Sequence, residues 1–174
     1  PEVQIDSPVN GGTATEGQML DFVATVTDAQ DQPDAVLLEW TLNGNPYSTQ
    51  GATSTGTAQF TDDTLSYGSY TLVVTATDTD GLTDADQISF TVNGLPSAPL
   101  VSIEPDPAAT NNALSASILN PSVDPEGATV TYSYVWLKDN VVQPSQTAQI
   151  VSAADTLKGE QWMVRVCLLY TSDA

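Results

Sequence analysis

Residues 68–81 read GSYTLVVTATDTDG: a glycine, a run of alternating side chains, and an acidic loop at Asp78 and Asp80. Tyr70, Leu72, Val74 and Ala76 share one parity, and Thr71, Val73, Thr75 and Thr77 share the other. That period of two is what a strand with one buried face requires. The stretch predicts a core strand that ends in a carboxylate-rich loop.

Working upstream, Val36, Leu38, Trp40 and Leu42 alternate in the same way, which places Trp40 inward, and Asn43-Gly44 is a hairpin turn. Before them, Leu20, Phe22, Ala24 and Val26 alternate and run into a loop with Asp28, Asp31 and Asp34. Val3 and Ile5 make a short first strand, closed by Ser7-Pro8 and Asn10-Gly11-Gly12. Ala58 and Phe60 precede the opening strand, and Ile88, Phe90 and Val92 follow it. No stretch sustains a helical period. About seven short strands with a tryptophan on the third is the pattern of an immunoglobulin-like sandwich, expected over residues 1–94.

Residues 95–99, LPSAP, read as a linker, because proline breaks strand pairing and stiffens the chain. Beyond them the plan repeats. Leu100, Val101 and Ile103 begin it, Leu114, Ala116 and Ile118 follow, Asp124-Pro125-Glu126-Gly127 makes an acidic loop, and Val130, Tyr132, Tyr134 and Trp136 alternate. WTLNG from Trp40 answers WLKDN from Trp136, and Leu65, Gly68 and Tyr70 are loosely answered by Leu157, Gly159 and Trp162. The expected architecture is all-β: two tandem Ig-like antiparallel sandwiches, residues 1–94 and 100–166, the second truncated before its last strand.

Charge narrows the partners. Of 174 residues, 22 are acidic and only Lys138, Lys158 and Arg165 are basic, for a net charge of -19, and residues 1–97 hold 14 acidic side chains with no basic one. Such a surface repels nucleic-acid phosphates and anionic membranes. No apolar run approaches the roughly 20 residues that span a bilayer, so no membrane insertion is expected within this sequence. Cys167 is the only cysteine, which rules out an intrachain disulfide, and histidine is absent. Ser-His and Cys-His nucleophile systems are therefore impossible within these residues, and carboxylates on sandwich loops lack the cleft that a glycosidase needs. The expectation is a chain without enzymatic activity.

In a sandwich of this topology the loops after the second and sixth strands lie at one end, so Asp28 and Asp31 converge with Asp78 and Asp80. Four carboxylates brought together suit a hard cation such as Ca2+, which takes oxygen ligands in flexible geometry. The same residues equally suit solvated turns, since aspartate side chains bond their own backbone two residues on. Glu16, Asp62 and Asp63 on one side of the linker, and Asp124 and Glu126 on the other, form a second acidic set. Tyr70 suggests a tyrosine corner, Trp40 and Trp136 read as core, and Tyr47 is the aromatic expected to be exposed.

These residues resemble bacterial Ig-like repeats of the PKD and cadherin-like kind. TEGQMLDFVATVTDAQD, EWTLNG and LSYGSYTLVVTATDTDGLTD look like the family's second, third and sixth strands, and PSVDPEGATVTYSYVWLKDN is similar to repeats with a Tyr-x-Tyr-x-Trp strand. The third strand departs from the PKD pattern, carrying Glu39-Trp40-Thr41-Leu42-Asn43-Gly44 in place of a Trp-x-Phe-Gly-Asp-Gly run. The resemblance implies a spacer or adhesion module of a larger secreted or surface bacterial protein, stiffened by calcium where calcium binds. It implies neighbouring Ig-like repeats as partners, with a surface protein or polysaccharide as a further ligand. The alternative is an accessory substrate-binding module of a secreted hydrolase. The terminal CLLYTSDA, residues 167–174, resembles a translated sequencing adapter, which implies a non-native tail on a metagenome-type fragment.

Overall fold

The computed structural model describes residues 1–110 and 112–169. The chain divides into two compact units, Pro1–Leu95 and a second that begins at Pro96.

The first unit is built from β1 (Glu2–Ser7), β2 (Thr13–Thr15), β3 (Leu20–Thr27), β4 (Leu37–Leu42), β5 (Asn45–Ser48), β6 (Thr57–Asp62), β7 (Gly68–Thr77) and β8 (Thr83–Asn93). One sheet runs β1-β3-β6 and the other β2-β8-β7-β4-β5. All the ladders are antiparallel except that of β2 with β8. β7, the opening stretch, lies between β4 and β8.

The alternation of the sequence is the alternation of burial. Leu72, Val74 and Ala76 of β7, Phe22, Ala24 and Val26 of β3, and Leu38 and Trp40 of β4 are buried between the sheets. Aromatic rings fill the centre: Phe22 stacks on Phe60 at 5.0 Å between centroids, and Trp40 meets the same ring edge-on at 5.0 Å. Such contacts favour a specific packing beyond the area they bury. Tyr47 is not an exposed ring; it packs on Phe22 and Phe60, and its hydroxyl donates to Asp62. The ring follows Pro46 in β5, at the outer margin of its sheet, and folds over the core edge there. Among the described tyrosines Tyr67 is the exposed one, at 51%.

The second unit holds β9 (Leu100–Glu104), β10 (Leu114–Asn120), β11 (Thr131–Lys138), β12 (Val141–Val142), β13 (Ile150–Val151) and β14 (Trp162–Leu169), in sheets ordered β13-β10-β9 and β12-β11-β14. The repeat is exact in register: Trp40 lies opposite Val74 as Trp136 lies opposite Val164. Each indole donates to a backbone carbonyl at 2.9 Å, Trp40 to Gln50 and Trp136 to Ala148. Each hairpin turn uses a residue at positive φ, Asn43 and Asp139, whose side chain accepts from the backbone N–H of Thr71 and Gln161 respectively. Asn and Asp tolerate this conformation because a short polar side chain bonds locally. The register also refines the alignment of the copies: Trp162, opposite Lys138, corresponds to Leu72 opposite Leu42, and not to Tyr70. Both units are thus Ig-like, all-β sandwiches.

Residues 167–169 of the expected tail continue β14 in register with β11, and residues 170–174 lie outside the described residues.

Candidate functional site

The acidic end of the first unit is made by the turn after β3 and the turn after β7. Asp28 folds its Oδ1 back onto the backbone N–H groups of Gln30 and Asp31, each at 2.7 Å. Asp78 does the same with Asp80 and Leu82, at 3.0 and 2.8 Å. In the second unit Asp124 accepts from Glu126 and Ala128, both at 3.1 Å. The first carboxylate of each loop is therefore the acceptor that shapes the turn. The two loops of the first unit meet, because Asp31 Oδ2 accepts from both the backbone N–H and the hydroxyl of Thr79, at 2.9 and 2.7 Å.

Of the four expected site residues, Asp28 and Asp78 share a direction. Both aim Oδ2 at the Pro1 nitrogen, at 2.8 and 3.9 Å, and their side chains are almost fully covered. Asp31 is committed to Thr79, and Asp80 is exposed. The Asp28 carboxyl is held below the usual carboxylate range, the backbone N–H groups of Asp31 and Gln30 favouring its charged form. A depressed carboxylate stabilises the fold above its unfolded pKa and loses that contribution as pH falls through the folded one. We therefore expect Asp28→Ala, which removes the acceptor of the Gln30 and Asp31 N–H groups, to lower urea resistance at neutral pH, with the difference from wild type narrowing as pH falls from about 4 to about 2. An unchanged gap at the acid limit would show that the charged carboxylate is not its source.

Calcium takes about six to eight oxygens. Asp28 and Asp78 each have one oxygen bonded to their own backbone and Asp31 is bonded to Thr79, so as arranged these side chains offer calcium few oxygens. Among the described residues no group of three or more aspartate, glutamate or cysteine side chains is arranged to hold a metal ion.

Of the second acidic set, Asp62 and Asp124 bond within their own units. Burial pushes the Asp62 carboxyl up, but hydrogen bonds from Thr64 and Tyr47 outweigh it and hold it below the usual range. Tyr70 forms the expected corner, its hydroxyl donating to Ser66 carbonyl at 2.7 Å.

Two carboxylates that the motifs did not single out link the two sheets. Asp84 and Asp86 of β8 accept from the backbone N–H groups of Val3 and Ile5, at 2.8 and 2.7 Å, and so tie β1 in one sheet to β8 in the other. The signal was present in the sequence: Asp84 and Asp86 share the parity of Ile88, Phe90 and Val92, so two charges lie on a core-facing row. Removing one leaves a partly buried N–H without its acceptor, a loss of about 1–3 kcal/mol. Asp86→Ala is expected to destabilise the first unit by that amount, read by urea denaturation, and a change under about 0.5 kcal/mol would show the hook to be dispensable.

Residues 1–74 match the family model described as a bacterial Ig domain. Among solved structures, the fibronectin(III)-like modules of Clostridium thermocellum CbhA are 23% identical, with TM-score 0.44, over 52% of this chain and 93% of theirs. The Bacteroides ovatus mixed-linkage glucan utilization locus protein SGBP-B, solved with a mixed-linkage heptasaccharide, is 16% identical, with TM-score 0.38, over 98% of this chain. Dimeric latent PorU from Porphyromonas gingivalis is 14% identical, with TM-score 0.35, over 93% of this chain. The chain spans 40% of the length of the second and 16% of the third. No curated protein matches it.

Proposed function

We propose that this chain is a non-catalytic structural spacer or adhesion module of a larger secreted or surface bacterial protein, with other Ig-like repeats as its neighbours. The observation that carries this reading is how the aromatic side chains are used. Phe22, Trp40, Tyr47, Phe60, Tyr70 and Phe90 all pack within the first core, and Trp136 and Trp162 pack on one another in the second. Sugar-binding surfaces present aromatic faces outward, whereas these rings are committed to holding two folded bodies together. The match of residues 1–74 to a bacterial Ig domain supports the same reading. A net charge of -19 keeps such modules soluble and mutually repelling.

Two measurements test it. Incubated with insoluble cellulose or mixed-linkage glucan, the chain is expected to stay in the supernatant. Saturable retention would favour the accessory substrate-binding module instead. In the calcium-stiffened form of the proposal, Asp28, Asp31, Asp78 and Asp80 rearrange around the ion, and a ligand bound only by the folded state raises Tm. With the carboxylates arranged as they are, the expected result is no Tm shift at millimolar calcium. A saturable rise that Asp78→Asn abolishes would establish calcium binding at this end.

A further inference from the structure

Asparagine followed by glycine is the pair at which a backbone amide most readily attacks the preceding side chain, because glycine has no Cβ to shield its nitrogen. The chain has three such pairs, Asn10-Gly11, Asn43-Gly44 and Asn93-Gly94. The attack needs a free glycine N–H, a polarised side-chain carbonyl and a departing amide open to water. The fold supplies these unequally.

At Asn10-Gly11 the nucleophile is engaged, the Gly11 N–H donating to the Ser89 carbonyl at 2.7 Å. At Asn93-Gly94 the asparagine is 8% exposed, and its Nδ2, the nitrogen that would depart, donates to the Gly94 carbonyl at 2.9 Å. Asn43-Gly44 has neither restraint. Both residues are exposed at the tip of the β4-β5 hairpin, and the Gly44 N–H has no partner among the described residues. Asn43 Oδ1 accepts from the Thr71 N–H at 2.8 Å, so a donor already stands where the oxyanion of the addition step develops.

We propose that Asn43 is a deamidation site, the first of the three to react in the folded chain. Hydroxide takes the Gly44 amide proton and the nitrogen bonds to Asn43 Cγ. The Cγ–Nδ2 bond breaks as Nδ2 takes a proton from water and leaves as ammonia. Water then opens the succinimide to aspartate at position 43 or to its isoaspartyl isomer, with nothing oxidised or reduced.

The second unit shows that a carboxylate fits this place. Asp139, the counterpart of Asn43, donates its N–H to the Gln161 carbonyl at 2.8 Å and accepts from the Gln161 N–H at 2.9 Å, as Asn43 does with Thr71. Aspartate therefore keeps the hairpin, whereas the isoaspartyl form adds a methylene to the main chain of a two-residue turn.

The test holds the whole chain at mildly alkaline pH, folded and in guanidinium chloride, and follows the three Asn-Gly peptides by mass spectrometry. In the folded chain the Asn43 peptide is expected to convert about tenfold or more faster than the other two, since one of those must first break a hydrogen bond at the reacting nitrogen and the other one at the leaving nitrogen. In guanidinium the three rates should converge. Asn43→Asp should keep the urea midpoint of the first unit and remove the earliest acidic species from anion exchange. Conversion of Asn10 or Asn93 as fast as Asn43 in the folded chain would overturn the proposal. So would an Asn43 that survives in the folded chain while the unfolded chain converts, and a lowered midpoint for Asn43→Asp would overturn the fit of the product.

Discussion

Trp136→Ala is expected to abolish the cooperative folding of the second unit and leave the first intact. Among the described residues the buried core cluster of that unit is Leu114, Ala116, Trp136 and Val151, with Ile103, Tyr134, Trp162 and Val164 packed against it. Truncating a buried tryptophan costs about 3–5 kcal/mol, and a core this small has little more than that to lose. The mutation also removes the ring that meets Trp162 at 6.2 Å and the indole N–H that holds the Ala148 carbonyl. In a two-dimensional amide spectrum, resonances of residues 100–169 should collapse toward unfolded positions while those of residues 1–93 keep theirs. Trp136→Phe, which retains most of the volume, separates loss of packing from loss of the hydrogen bond. A Trp136→Ala chain with a dispersed second-unit spectrum would show that the ring is not the keystone of that core.

Trp40→Ala, at the matching position, is expected to destabilise the first unit by a similar amount, about 3–5 kcal/mol, without unfolding it. The difference lies in what surrounds the ring. Sixteen buried residues form the first core, and Phe22, Tyr47 and Phe60 remain in mutual contact when the indole is gone. Trp40→Phe leaves the Gln50 carbonyl without its donor and should cost about 1–3 kcal/mol, most of it the unmade bond. Urea midpoints of the two variants measure the split. Equal losses for Ala and Phe would mean that the hydrogen bond, and not the apolar volume, is what the position supplies.

The acidic end of the first unit was only half legible. The convergence of the two loops followed from topology, and Asp31 on Thr79 is its visible result. The destination of each carboxylate did not follow, because a short side chain on a turn chooses between its own backbone and a neighbouring loop by angles that sequence spacing does not report. Asp28 and Asp78 bond their own turns and also lie against the Pro1 nitrogen, whereas Asp80, two residues past Asp78, faces water. Asp84 and Asp86 stood in plain view as polar residues on an apolar row, yet their partners lie 81 positions away, in the other sheet.

By itself, the sequence determined that this chain is a set of strands, which side of each strand faces inward, and that one plan occurs twice. A period of two forces alternate side chains to opposite faces, so burial follows from local order alone. Only the tertiary structure decided which strands share an edge, that Trp162 stands where Leu72 stands, and that β14 has an edge no described strand covers. Those facts depend on ladders and hydrogen bonds between residues far apart in the chain, which form only when the sheets close on one another.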